Sequence, residues 1–339
     1  MTADAFLRIE GLSVHFPVHK GLLQRQVASV KAVENVTLSL RRGEAFGLVG
    51  ESGCGKTTLA RTVLRLVDAT DGAVWFDGEN ITALKGAALT PYRKRVSAVF
   101  QDPFSSLNPR MKAGAIIAEV LKVHRYAGDI PARVVALMAM CGLSERFVDL
   151  YPHQMSGGQR QRIGIARALA LEPELIVCDE AVSALDVSIQ AQIINLLEEL
   201  RVRHGLTYLF IGHDLSIVRH LCDRVAVMYL GRVMETASSD ALFSDPQHPY
   251  TQALIAAIPN PDPIAEESRN PAMLKGEVPS PLDPPSGCVF HPRCPIAMDI
   301  CTRIAPELES AGAGHAVACH AVTTGPPKET TTTGEKDGR

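Results

Sequence analysis

The chain has 339 residues, a formal net charge of -3 and 46% hydrophobic residues. That length allows one large core with a smaller module beside it, and the near-neutral balance excludes an electrostatic case for nucleic-acid binding. No stretch reaches the roughly 18 apolar residues of a membrane span, and Met1-Thr2-Ala3-Asp4 lacks the regions of a signal peptide, so the chain reads as soluble and cytosolic, with any membrane work done through another protein.

Up to about residue 260, apolar runs alternate with helical patterns, which is how an α/β sheet reads. The first buried strand is Ala45–Val49. It leads into Gly50-Glu51-Ser52-Gly53-Cys54-Gly55-Lys56-Thr57, a complete G-x-x-x-x-G-K-[ST] pattern, and then a helical run, Thr58–Val67. Glycines let backbone N–H groups turn toward phosphate oxygens, and a helix N-terminus adds partial positive charge. Lys56 is expected to reach the β- and γ-phosphates and the Thr57 hydroxyl to hold Mg²⁺. Cys54 reads as a small filler residue.

Val74-Trp75-Phe76 runs into an Asp77-Gly78 turn, an antiparallel signal. Ile116, Ile117, Val120 and Leu121 outline an amphipathic helix, a pattern that serves core packing or docking equally. Leu175–Cys178 is an apolar strand ending in Asp179 and Glu180. Such a strand puts both acids at the carboxyl edge of the sheet, beside the phosphate loop. Asp179 suits Mg²⁺ and Glu180 a general base acting on water. Ile189–Arg203 reads as a long helix stopped by Gly205, Tyr208–Ile211 as a buried strand, and Arg224–Tyr229 with Arg232–Glu235 as an antiparallel pair.

Prolines from Pro259 to Pro285 then leave little room for helix, so residues 261–287 read as an extended connector. Cys288, Cys294, Cys301 and Cys319 follow in a segment, 288–321, with few apolar residues. In a cytosolic protein such a cluster suggests metal more than disulfides, and four thiolates suit either Zn²⁺ or a [4Fe–4S] cluster, with unligated or disulfide-bonded cysteines as the other reading. Residues 322–339 are Thr-, Gly- and charge-rich and read as a disordered tail.

Met155-Ser156-Gly157-Gly158-Gln159, with the helix after it, resembles the signature sequence of ATP-binding cassette proteins. The resemblance implies a P-loop NTPase (RecA-like) domain over 1–260, with an antiparallel β subdomain and a helical subdomain at about 102–169. Ser156, Gly157, Gly158 and Gln159 would complete the nucleotide site of a partner subunit. Gln101 resembles the Q-loop glutamine that senses Mg²⁺, Asp186 a D-loop residue at the dimer interface, and His213 the switch histidine at the γ-phosphate. Phe16 best fits the aromatic that stacks on adenine, with about a dozen residues, Lys20–Lys31, inserted after it.

Phe100–Met111, Ser183–Gln192 and His248–Leu254 are similar to segments of dipeptide and oligopeptide importer ATPases. This branch implies an ATPase with ATP and Mg²⁺, a second ATPase subunit, two membrane permeases and a solute-binding protein. It implies peripheral attachment at the cytoplasmic face of the membrane, peptide as the leading cargo, with nickel, glutathione or another small solute as the alternative, and an iron–sulfur cluster at the four cysteines. A soluble cassette ATPase of translation or repair is the remaining alternative; those types carry two cassettes or long coiled coils, and this chain has neither.

Overall fold

A computed structural model describes residues 5–21, 25–100, 106–258, 276–312 and 314–323. Gln101, most of the connector and nearly all of the tail lie outside the described residues. Residues 276–287 contain turns and bends but neither helix nor strand, as their prolines dictate.

Two sheets organise the chain. The smaller is antiparallel with the order β2-β1-β4-β5, from β1 (Leu7–Lys20), β2 (Arg25–Leu40), β4 (Asp71–Phe76) and β5 (Glu79–Asn80). The expected Asp77-Gly78 turn joins its last two strands. The larger sheet has the order β11-β12-β10-β9-β3-β8-β7-β6, with β10 at Arg232–Ser238, β11 at Glu309–Gly312 and β12 at His315–Val317. Its parallel centre is β3 (Ala45–Val49), β6 (Val96–Val99), β7 (Leu175–Asp179), β8 (Thr207–Ile211) and β9 (Arg224–Tyr229).

The central strands read as apolar runs because both faces are covered. Side chains alternate between two cores. Ala45, Val49, Tyr208 and Phe210 face the helical core. Phe46, Leu48, Leu209 and Ile211 face the core shared with the antiparallel sheet. Arg42 and Arg95 each bridge Asp77 and Glu174, tying the tip of the small sheet to the large one.

The helices Ala113–Val123, Ile130–Met140 and Gly157–Ala168 form the helical layer. Ile116, Ile117 and Leu121 are buried there and Val120 is partly buried, so that stripe packs the core and presents no docking face. The helix after the phosphate loop is Lys56–Val63, shorter than the expected run, because Arg65 takes a left-handed φ of 55°. The long helix is Val187–His204, and Gly205 ends it at φ 63° in the left-handed conformation.

Two regions take a form that the sequence left undescribed. β1 and β2 pair as far as Lys20↔Arg25, so the described part of Lys20–Lys31 is a hairpin arm. The cysteine segment is tied to the body of the chain by strand pairing. Its β11 (Glu309–Gly312) and β12 (His315–Val317) join the main sheet through β10 (Arg232–Ser238), in the register Glu235↔Val317.

Candidate functional site

The phosphate loop is shaped by close backbone approach. Gly50 has φ 149°, and a Cβ there would lie 2.1 Å from the Met228 carbonyl oxygen. Gly55 has φ 107°, and a Cβ there would lie 2.1 Å from the Ala32 carbonyl oxygen. Only glycine fits either position, so β9 and β2 mould the loop from behind. Lys56 is buried; its Nζ donates to the Gly50 oxygen at 2.7 Å and the Glu51 oxygen at 3.0 Å. The ammonium is thus held across the loop mouth. Cys54 is buried against Gly50, and burial raises its thiol pKa, which keeps it a neutral filler. Ser52 and Gly53 are exposed on the loop, and Thr58 lies in the first turn of the helix.

The acids arrive from the neighbouring strand ends. Thr57 Oγ1 donates to Asp179 Oδ1 at 3.2 Å, across 122 residues of sequence. Asp179 is buried, and burial pushes its carboxyl pKa up; the Thr57 hydroxyl opposes that shift and the neighbouring Glu180 adds to it. A hydroxyl and a carboxylate in contact beside a lysine form a hard-oxygen pair suited to Mg²⁺. The site therefore fits the metal its sequence implies.

Glu180 occupies a left-handed φ of 49°, unusual for a residue with a Cβ. Three bonds hold it there. Its N–H donates to the Ile211 oxygen at 2.9 Å, its carbonyl accepts from Ser183 Oγ at 3.0 Å, and Gln190 Nε2 holds the same turn at the Val182 oxygen. The strained turn aims the Glu180 carboxylate toward β8, where Oε2 lies 3.5 Å from His213 Nδ1. Glu180, Ser183, Gln190 and His213 line a small cavity of about 50 Å³.

The signature segment begins the helix Gly157–Ala168. Ser156 Oγ accepts from the Gln159 N–H, and Gln159 Oε1 accepts from the Ser156 N–H, a capping box. The Ser156 hydroxyl proton remains available to an incoming anion. A Cβ on Gly158 would meet Ile189 at 2.6 Å, so this glycine lets the signature helix lie against the helix Val187–His204. Among the described residues, no polar contact joins Ser156–Gln159 to Gly50–Thr57 of the same chain. Asp186 is exposed and makes no cap bond with its side chain. Phe16 stands on the hairpin arm, 39% exposed, free to offer a ring face.

The four C-terminal cysteines converge without forming an ion site. Cys288, Cys301 and Cys319 are buried and Cys294 is half-buried. Burial pushes the Cys288 thiol up to about 11; the Phe290 backbone N–H opposes this, and the other three sulfurs reinforce it. Ile296 and Val322 backbone N–H groups face Cys294 and Cys319 in the same way. Yet among the described residues no three His, Cys, Asp or Glu side chains are arranged to hold a metal ion. The metal site expected at Cys288, Cys294, Cys301 and Cys319 is therefore not preformed.

Sequence reading missed the residues behind the loop. Tyr250 Oη accepts from the Glu51 N–H at 2.9 Å, and Arg293 grips the Glu51 carboxylate from 242 residues away. No local pattern marks such partners.

Comparison with known proteins places the chain in a family. The ABC transporter family matches residues 33–183, and the oligopeptide/dipeptide transporter C-terminal region matches residues 234–301. The oligopeptide transport ATP-binding protein AppF of Bacillus subtilis is 51% identical over 94% of this chain and 97% of its own length. A probable peptide ABC transporter ATP-binding protein of Sinorhizobium fredii is 52% identical over 94% of this chain and 90% of its own. Among solved structures, a dimeric ATP-binding cassette, MJ0796, in a post-hydrolysis state with ADP and Pi superposes with a TM-score of 0.61. It is 28% identical and covers 69% of this chain and 98% of that one.

Fold and site together define an ABC-type ATPase, which binds and hydrolyses ATP. Within that class the chain belongs to the family of peptide-transport ATP-binding proteins, which it matches across nearly its whole length.

Proposed function

We propose that this chain powers import of di- or oligopeptides through a separate pair of membrane permeases, as one of two ATPase subunits that close face to face on ATP. Among the described residues no helix is long and apolar enough to cross a membrane, so permease subunits would supply the span and the membrane attachment at its cytoplasmic face. A solute-binding protein would deliver the cargo. The names and coverage of the relatives support peptide over nickel, glutathione or another solute. The observation that carries the ATPase chemistry is the Thr57–Asp179 contact beside Glu180 and His213.

In this reading the N–H groups of Gly50–Gly55 and Lys56 hold the β- and γ-phosphates. Thr57 and Asp179, with Gln101 from outside the described residues, would hold Mg²⁺, which neutralises phosphate charge when bound. Glu180 takes a proton from the attacking water, and His213 orients Glu180 and meets the γ-phosphate. Phe16 stacks on adenine. Ser156, Gly157, Gly158 and Gln159 serve the partner's nucleotide, and Asp186 contacts the partner across the interface. Glu180→Gln should leave ATP binding intact and slow hydrolysis at least about a hundredfold; near-normal turnover removes Glu180 from the base role.

We also propose that Cys288, Cys294, Cys301 and Cys319 are ligands of a [4Fe–4S] cluster. Four sulfurs near one another, three of them faced by backbone N–H groups, are a donor set suited to such a centre. A bound cluster would cross-link the segment and displace the four thiol protons. Protein purified without oxygen should be brown and carry about four iron atoms per chain; a colourless, zinc-loaded sample overturns the cluster.

A further inference from the structure

We propose that Arg293 is a positioning residue for the phosphate loop, acting through Glu51. The proposal rests on reading Gly50–Thr57 as the nucleotide site. Glu51 is the second residue of that loop and is held at three points. Its carboxylate takes a two-pronged bond from Arg293, Nη1 to Oε2 at 2.8 Å and Nη2 to Oε1 at 3.1 Å. Its N–H donates to Tyr250 Oη at 2.9 Å. Its carbonyl accepts from Lys56 Nζ at 3.0 Å. A chain of contacts thus runs from Arg293 through Glu51 to the phosphate-binding lysine.

The anchor is built rigidly. The Arg293 side chain is 7% exposed, and its guanidinium lies over the Tyr229 ring, 5.7 Å from the centroid. Tyr229, Tyr250 and Phe290 pack ring to ring and are fully buried. Arg293 ends the turn His291–Arg293 and directly precedes Cys294, so the residue that grips the loop belongs to the cysteine segment. Electrostatics give the contact its purpose. An unpaired carboxylate on a loop that receives a triphosphate would repel the ligand, and a planar guanidinium is the side chain best shaped to neutralise it and fix its direction.

The test is equilibrium titration of the full-length chain with Mg²⁺ and a fluorescent, non-hydrolysable ATP analogue. Arg293→Ala should raise Kd about tenfold, because Glu51 is left charged and unpaired. Arg293→Lys should raise it about threefold, since an ammonium keeps the charge and loses the fork. The double variant R293A/E51Q should return to within about threefold of wild type, because the uncompensated charge is gone; a purely structural staple would show no such recovery. In steady-state hydrolysis the Arg293 variants should raise KM for ATP with kcat largely retained. If Arg293→Ala does not fold, as thermal melting would show, Arg293→Lys carries the test. Wild-type affinity in both Arg293 variants, or a double variant that binds no better than Arg293→Ala, overturns the proposal. A wild-type chain that fails to bind the analogue overturns the nucleotide-site reading instead.

Discussion

The phosphate loop and the cysteine cluster both gather residues from far apart, yet one is finished by the chain alone and the other is not. At the loop, the backbone of β9 and β2 sets the shape, Lys56 donates to the Gly50 and Glu51 carbonyls, and Thr57 donates to Asp179. At the cluster, four thiols approach but do not close on a common point. The difference is chemical. Before any ligand arrives the lysine bonds to loop carbonyls and the hydroxyl bonds to the carboxylate. Thiols are weak donors and weak acceptors, so they offer one another little hydrogen bonding. Arg293 joins the two regions, which makes the finished site depend on residues carried by the unfinished one.

The sharpest way to break this contrast is Gly50→Ala. A Cβ would have to lie 2.1 Å from the Met228 carbonyl, at a φ that L-residues avoid. The variant should lose about 3 kcal/mol of stability and its ATP binding. A variant that melts and binds ATP as wild type does would mean that the loop is not moulded from behind.

A second effect separates the regions by pH. Burial drives the pKa of His248, which packs against Phe290, down to about 3. The unfolded chain takes up that proton near the ordinary value of about 6.5. The uncharged ring therefore contributes its full stability above about 6.5 and loses it as pH falls from there toward 3. At pH 5 the loss should be about 2 kcal/mol. Urea unfolding of His248→Asn should show a flatter pH dependence; an unchanged slope places the acid sensitivity elsewhere.

The smallest effect has the opposite sign. The Asp179 carboxyl pKa is raised by burial, so the native apo chain binds that proton more readily than the unfolded one. Its charge lowers stability once pH exceeds the carboxylate range. Asp179→Asn should raise the Tm of the apo chain at pH 7 by a few degrees while removing Mg²⁺-dependent ATP turnover. A lower Tm would mean that the carboxylate holds the loop together before nucleotide arrives.

Much of the site was legible in one dimension because it is written in short local patterns. The loop Gly50–Thr57, the strand ending in Asp179-Glu180 and the capped segment Ser156–Gln159 each follow from a strand, a turn or a helix start that neighbouring residues specify. Three strands of the parallel centre, β3, β7 and β8, were legible because strands buried on both faces read as continuous apolar runs; β6 was not read as a strand, and β9 was read only through its antiparallel partner. The hairpin arm beyond Phe16 was harder. Its strands are solvated on both faces, so Lys20–Lys31 lacks the apolar alternation that marks a strand.

Sequence alone thus determined the ATPase class, since the loop Gly50–Thr57, the strand ending in Asp179-Glu180 and the capped segment Ser156–Gln159 each lie within a few consecutive residues. Tertiary structure decided what stands behind that chemistry. Pairing of β12 with β10 carries the cysteine segment to the edge of the main sheet, and the ring cluster of Tyr229, Tyr250 and Phe290 brings Arg293 onto Glu51. A salt bridge across 242 residues leaves no periodicity and no motif in the sequence. It exists because two surfaces pack, and packing is a property of the folded chain.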